Sequence, residues 1–325
     1  MKLLVPVTSP NDIRLFLEVA DDIEFYAGIE IERWYERFGR YEDLNRMSSF
    51  HNTANITNMD SVCRLVEEAK GHELFITFNA SGYSEEQIEF LEKILEELAQ
   101  SGVTGIIAGD PFLALKIKEC GLKAVASTMI GVYNEDIARF CVQLGFQRLI
   151  LPRDLSLEEV KEIMTVVPNV EYECFLMRNG CRYSDANCLA RHSEKYGALC
   201  SFLDKSAVTF CGQGVKTFSG HDQVVFNHHV YTKAFHKSAC GMCAIWDLMQ
   251  MGVSAGKIVG RADGANSIVK DLEMLEKNLR ISQECMTREE YLRQMIPPRQ
   301  YDAICYQGCN CYYPEVRYGR NREKI

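Results

Sequence analysis

Proline is scarce in this 325-residue chain, at 8 residues, and tryptophan scarcer, at 2. So little proline, beside a hydrophobic share of 47% and a charged share of 25%, excludes collagen-like, simple-repeat and disordered chains. Long apolar runs are missing too. Stretches such as Leu149–Pro152 and Cys174–Met177 fall far short of the ~18–20 residues that span a bilayer, so no membrane segment is expected. Met1–Pro6 carries one positive charge and a short apolar stretch before polar Thr8–Asp12, too little for a secretory signal, and a cytoplasmic protein is expected. An excess of basic charge is also missing. Lys and Arg number 36 against 45 Asp and Glu, and the net charge of -9 argues against a broadly basic nucleic-acid surface. There is no His-Glu-x-x-His helix and no P-loop, so a zinc protease or an NTPase lacks its working parts. Gly252-x-Ser254-x-Gly256 has nucleophile-elbow spacing, but it closes a helix and opens a strand, the reverse of an elbow.

What the chain does have is a regular alternation of short β-rich runs and amphipathic helices. Strands are expected at Leu3–Val7, Ile23–Ala27, Glu73–Asn79, Gly105–Ala108, Ala124–Ser127, Arg148–Pro152, Val170–Phe175 and Gly256–Val259. Helices between them include Glu85–Gln100, whose Ile88, Leu91, Ile94, Leu95 and Leu98 make one apolar stripe, and Glu135–Leu144. Ser84 with Gln87 and Ser156 with Glu159 supply capping boxes. Eight strand–helix units with right-handed crossovers read as an α/β chain forming a TIM-like (β/α)8 barrel. Length alone allows two domains, but one large barrel accommodates it equally well. The rhythm breaks between the seventh and eighth strands, where about 80 residues intervene, far more than such connections need. An insertion at this point follows the C-terminal end of a strand, so it should cover the catalytic face. The expected division is a barrel domain over 1–280, with a Cys-rich cap at 176–243, and a cysteine-containing tail at 281–325.

The cysteines are unevenly placed. Of 14, only Cys63, Cys120 and Cys141 precede the seventh strand, and packing suffices for them. The others are Cys174, Cys181, Cys188, Cys200, Cys211, Cys240 and Cys243, then Cys285, Cys305, Cys309 and Cys311 in the tail. In a reducing compartment such thiols point to metal ligation rather than a disulfide framework. Four thiolates from separate loops suit a [4Fe–4S] cluster. A four-cysteine zinc site usually needs two close Cys-x2-Cys knuckles, and only Cys240–Cys243 has that spacing.

The segment Glu171–Cys188, a strand glutamate leading to two cysteines seven positions apart, resembles the signature of the peptidase U32 family. Leu3–Val7 with Ile23–Gly28, Ala126–Met129 with Asn134, Arg148–Leu157 and Gly252–Arg261 resemble further blocks of that family, in the right order over residues 1–280. The resemblance implies a barrel, a [4Fe–4S] cluster held by four cysteines, and oxygen-independent hydroxylation of ubiquinone precursors or RNA bases. Matched one by one, it implies Cys181, Cys188, Cys200 and Cys240 as ligands, with Cys243 and Cys211 in reserve. Three departures touch the substrate more than the cluster: Arg178-Asn179-Gly180 replaces a His-Gly, Val259 replaces a glutamate, and Lys195-Tyr196 replaces an Arg-Asn.

Other residues complete the expected site. Glu173 is placed to act as a general base or, equally, to be a buried carboxylate paired with Arg153 or Arg261. Arg153 and Arg261 each follow a strand and could clamp an anion. Five of seven histidines, His192, His221, His228, His229 and His236, fall in the cap, where solvated loop positions are the commoner fate. A second cluster or metal at Cys285, Cys305, Cys309 and Cys311 is one reading of the tail; the others are a redox-sensitive tail and one tail cysteine completing the first cluster. The leading expectation is an iron–sulfur hydroxylase acting on a small-molecule or modified-macromolecule substrate, together with a homologous partner subunit. The alternatives are a peptidase and a non-catalytic iron–sulfur or zinc protein that binds a partner.

Overall fold

The computed structural model describes residues 1–39, 42–45, 54–181, 186, 239–298 and 311–317. In chain order the elements are β1 (Lys2–Pro6), α1 (Pro10–Leu17), β2 (Ile23–Ile29), α2 (Glu32–Phe38), β3 (Asn55–Ile56), α3 (Met59–Ala69), β4 (Leu74–Phe78), α4 (Glu85–Gln100), β5 (Gly105–Ala108) and α5 (Leu113–Glu119). They continue as β6 (Lys123–Ala126), α6 (Glu135–Leu144), β7 (Arg148–Ile150), α7 (Leu157–Val166), β8 (Glu171–Met177), α8 (Ile245–Met251), β9 (Ala255–Ile258), α9 (Ala265–Glu284) and α10 (Arg288–Gln294).

Every strand pairing is parallel, and β1 pairs with β2 on one side and β9 on the other, so eight strands close into a barrel. Closure removes both sheet edges and leaves each strand buried by helices outside and side chains within. This explains why β2 is buried along its whole length. The two-residue β3 extends the ladder beyond β2, with Gly28 opposite Asn55 and Ile29 opposite Ile56.

Capping chemistry starts the outer helices where the sequence predicts. Ser84 and Ser156 form capping boxes with Gln87 and Glu159, each accepting the N3 backbone N–H, while Asn58 and Asn134 cap α3 and α6. Gly145 and Gly252 end α6 and α8 in the left-handed conformation that glycine adopts without strain. Ser254 lies between α8 and β9, where its carbonyl accepts from Lys2 N at 2.9 Å. It therefore sits at the N-terminal face of the barrel, away from the mouth, and no nucleophile elbow forms.

Two segments outside the expected strand–helix units are ordered. In α2, the indole of Trp34 donates to Glu42 O at 2.8 Å and stacks among Phe38, Tyr83 and Phe90. At the other end of the chain, α9 runs through residue 280 to Glu284, so the expected boundary falls inside a helix. Beyond it α10 packs on α8 and α9, with the Tyr291 hydroxyl donating to Met242 O at 2.6 Å. Most of the cap interval, and the cysteines Cys188, Cys200, Cys211, Cys305 and Cys309 with the five cap histidines, lie outside the described residues. Among the described residues no helix is long and apolar enough to cross a membrane.

Candidate active site at the C-terminal mouth

Charged side chains fill the barrel axis. At its N-terminal end Lys2 donates to Glu73 at 3.0 Å, and Lys123 to both oxygens of Glu171 at 2.6 and 2.7 Å. One level up, the Arg148 guanidinium donates to Glu24 at 2.5 and 3.0 Å and to Glu171 at 2.7 Å. Glu173 follows, fully buried, with Lys257 Nζ donating to its Oε1 at 2.7 Å and Arg148 Nη1 3.8 Å from its Oε2. That Oε2 accepts no hydrogen bond among the described residues. Lys257 lies two residues closer to the mouth than Ala255, the residue level with Glu173. Its ammonium caps the carboxylate from above and rests 4.2 Å from the centre of the Tyr26 ring.

This corrects the expected pairing of Glu173. Its partners are Arg148 and Lys257, inward-facing residues of the two strands flanking β8, and not Arg153 or Arg261. The reason is depth. Arg153 and Arg261 stand three residues past the last residues of β7 and β9, at the mouth, while Glu173 points into the barrel below them. Burial pushes Lys257 below its ordinary pKa, helped by the charges of Arg261 and Arg148, while Glu173 opposes the shift. Burial works against the charged form of Arg148 also, but the surrounding carboxylates overcome it and hold the guanidinium firmly protonated.

Above this column the two mouth arginines are fixed by their surroundings. Arg261 Nη1 donates to Asn55 Oδ1 at 3.0 Å and to Thr77 Oγ1 at 2.9 Å, reaching from β9 across to β3 and β4. Asn55 in turn donates to Glu30 at 2.7 Å, and Thr77 to Asn45 at 2.8 Å. Gly28 leaves room here, since a Cβ on it would overlap the Arg261 guanidinium and the Asn55 carboxamide unless they shift. Arg153 donates to Asn179 O and lies 4.3 Å from the centre of the Phe175 ring. Burial raises the Tyr26 pKa, while the positive charges of Arg261 and Arg153 oppose the rise.

The thiols gather beyond β8. Arg178 and Asn179 both take positive φ, 65° and 50°, which costs free energy for residues with a Cβ. The tandem turn is held from several sides. Arg178 N donates to Ala239 O at 2.7 Å, its side chain pairs with Asp271 and donates to Ser267 O at 3.0 Å, and its carbonyl accepts from the Tyr312 hydroxyl. The turn delivers half-buried Cys181 to the mouth. Cys240 reaches the same region through an antiparallel bridge to Met177 and a parallel bridge to Cys311.

A donor set of thiols from separate segments fits a soft metal or an iron–sulfur cluster. Met242 N donates to Cys240 Sγ at 3.4 Å, an interaction that favours the thiolate form a metal requires. Cys174 behaves differently. It faces Tyr313 from within a strand and burial pushes its pKa up to about 12, as expected of a packing thiol, and burial likewise pushes Cys141 up to about 11. Among the described residues no three His, Cys, Asp or Glu side chains close on a single ion position, and the thiols instead line cavities. Of the four expected ligands, Cys181 and Cys240 are brought to one region and Cys188 and Cys200 lie outside the described residues. Of the tail quartet, Cys285 is buried at the C-terminus of α9 and Cys311 sits beside Cys240.

Arg148, Lys257, Tyr26 and Glu24 escaped the sequence reading. Their signal was nonetheless present: charged residues at period two inside short apolar runs, as in Ile23–Ile29 and Glu171–Met177, mark the inward face of a barrel strand.

Comparison with known proteins places these features in a family context. Residues 44–296 match the profile of Peptidase family U32. The chain is 28% identical over 123 residues to the tRNA hydroxylation protein P of Escherichia coli (strain K12), covering 37% of this chain and 27% of that protein. It is 25% identical over 213 residues to the 23S rRNA 5-hydroxycytidine C2501 synthase of the same organism, covering 65% of this chain and 31% of that one. The chain thus spans less than a third of the length of these relatives. A solved U32 peptidase structure aligns with a TM-score of 0.43 and 18% identity over 57% of this chain and 72% of the other.

Proposed function

The chain belongs to peptidase family U32, and on that footing we propose that it is an iron–sulfur enzyme carrying out hydroxylation with an oxygen donor other than O2. Support comes from relatives named for tRNA hydroxylation and rRNA hydroxycytidine synthesis, and from thiols arriving at a barrel mouth on separate segments. The observation that carries the reading is the pair of bridges that seats Cys240 against the end of β8, beside the strained turn bearing Cys181.

In this reading Cys181, Cys188, Cys200 and Cys240 hold a [4Fe–4S] cluster. When bound, the cluster supplies one-electron chemistry that side chains lack. Arg153 and Arg261 face the mouth with fixed guanidinium planes, and they bind and orient an anionic group of the substrate. Glu173 is out of solvent's reach, so it acts through Lys257: the carboxylate sets the position and charge of the ammonium, which holds a proton at Nζ below the substrate. The Tyr26 ring and its hydroxyl bond to Ile258 O at 3.1 Å keep that ammonium in place. The net charge of -9 weighs against a broad RNA-binding surface.

Anaerobic purification with iron and acid-labile sulfide analysis tests the reading. A brown protein with about four irons per chain, lost in Cys181→Ala, is the expected result. A protein holding one zinc and no sulfide overturns it.

A further inference from the structure

We propose that Asp271 is a positioning residue of the barrel mouth: by seating the Arg178 side chain on α9, it sets the Cys181 turn and the Arg153 guanidinium as one unit. For what Cys181 and Arg153 do, the inference rests on the reading above; for what holds them, it rests on contacts that reading does not use.

The backbone needs holding at this point. The pairing of β8 with β9 shifts register between Phe175 and Met177, and directly afterwards Arg178 and Asn179 stand at φ of 65° and 50°. A residue with a Cβ keeps such a conformation only where its surroundings impose it. The Arg178 side chain reaches away from the turn to α9, where its Nε donates to the Asp271 carboxylate and its Nη2 to Ser267 O at 3.0 Å. Its Nη1 lies 3.5 Å from Asp263 Oδ2, two residues past Arg261. One guanidinium thus fastens the turn after β8 both to α9 and to the turn that follows the other mouth arginine.

The same turn carries two residues of the site. Asn179 O accepts from Arg153 Nη1, and Cys181 follows two residues later. Arg153 and Cys181 also line one cavity, of about 210 Å3. A movement of the turn therefore displaces thiol and guanidinium together, on the wall of a shared space.

Stability alone is a poor account of Asp271. It is buried on the face of α9 that also buries Ile268, Leu272 and Leu275. Burial, together with the Asp263 charge, pushes its carboxyl above the ordinary pKa although Arg178 acts the other way. Apolar residues of similar volume often replace a buried ion pair without loss of stability, whereas the pair fixes one arrangement of the segments it joins. Here those segments are α9 and the turn bearing Cys181.

The test uses the full chain, purified without oxygen, as wild type and as Asp271→Asn, Arg178→Gly and Asp247→Asn. Brief treatment with iodoacetamide and with phenylglyoxal is followed by peptide mass spectrometry, which reads the modification rates of Cys181 and Arg153 separately. Cys63 and Arg64, exposed neighbours on α3, serve as internal standards. Asp271→Asn is expected to raise the rates at Cys181 and Arg153 together, by roughly threefold or more, with Cys63 and Arg64 unchanged. Arg178→Gly is the sharper variant, because glycine takes positive φ without strain. A turn that needs only its backbone stays as in wild type, and one that needs the guanidinium opens as in Asp271→Asn. The double variant should match Arg178→Gly alone, as two residues acting through one contact do. Asp247→Asn breaks a different buried pair, with Arg288, and should leave Cys181 and Arg153 at wild-type rates. Wild-type rates in Asp271→Asn or Arg178→Gly overturn the inference, and so does a rise at Cys181 without one at Arg153. Equal rises in Asp247→Asn overturn it too, since they would report general loosening. Iron and sulfide in the wild type are read separately: a chain without sulfide removes the iron–sulfur reading, while linked rates at Cys181 and Arg153 still establish the positioning.

Discussion

The two ends of the barrel use the same residue types for different ends. In the N-terminal half, Lys2, Lys123 and Arg148 face Glu24, Glu73 and Glu171 at hydrogen-bond distance, so each charge meets its opposite inside the strand ladder. At the C-terminal mouth, Arg153 donates to the carbonyl of Asn179 and Arg261 to an amide and a hydroxyl, while Arg178 pairs with Asp271. Strained backbone, thiols and cavities occur at this end as well. An arginine held by carboxylates on neighbouring strands is neutralised and structural. Arg261 is instead held by neutral acceptors. Glu173 and Lys257 stand where the two regimes meet.

The largest expected effect comes from breaking that junction. Lys257→Met leaves Glu173 buried with only the more distant Arg148, and loss of one partner of a buried pair costs about 3–5 kcal/mol. Chemical denaturation should show this loss, and Lys257→Met with Glu173→Gln should recover part of it. A change under about 1 kcal/mol would mean that the junction is not structural.

Gly28→Ala sharpens the mouth side of the comparison. The added methyl drives out the Arg261 guanidinium, with an expected loss of about 1–3 kcal/mol for overpacking. Adding Arg261→Ala should relieve the clash, so thermal melts of the double variant should lie above those of Gly28→Ala; additive losses would contradict the close approach.

The smallest effect concerns the N-terminal ring. Burial acts to raise the Glu73 pKa, but the interaction with the neighbouring Glu24 carboxyl, the hydrogen bond from Lys2 and the charges of Lys123 and Lys2 hold it at about 2. A carboxylate held below its ordinary value of 4.5 adds stability in full above that pH, and loses it as pH falls towards 2. Glu24 is shifted the other way, chiefly by burial, so its contribution changes above 4.5 and leaves the lower window to Glu73. Melting temperature should fall less steeply between pH 4.5 and 2 in Glu73→Gln than in wild type, by a few degrees at most. Parallel curves would sever the link.

Much of the scaffold could be read in advance. The extents of α4 and α6 match their apolar periodicity and caps residue for residue, because both signals are local. The helix α2 could not be read, since Ile31 at its N-cap offers no side-chain cap and its order comes from Trp34 packing on rings distant in sequence. The helix α10 has a good cap in Thr287 but lies in the expected tail, outside the strand–helix units; the aromatic anchor Tyr291 is recognisable only once Met242 is beside it. At the site, Cys181, Arg153 and Arg261 were legible as residues following strands. Their partners were not, because Asn55, Thr77, Asn179 and Tyr312 come from other strands and from the tail.

By itself the order of residues determined the eight-unit alternation, the face of the barrel that carries the site, and the concentration of cysteines from the seventh strand onward. These follow from periodicity, capping and chain direction, all properties of short windows. Only the tertiary structure decided that Glu173 answers to Lys257 and Arg148, that Gly28 makes room for Arg261, and that Cys311 lies beside Cys240. Such neighbours are set by strand register and barrel closure, which join positions up to the length of the chain apart and leave no mark in any one segment.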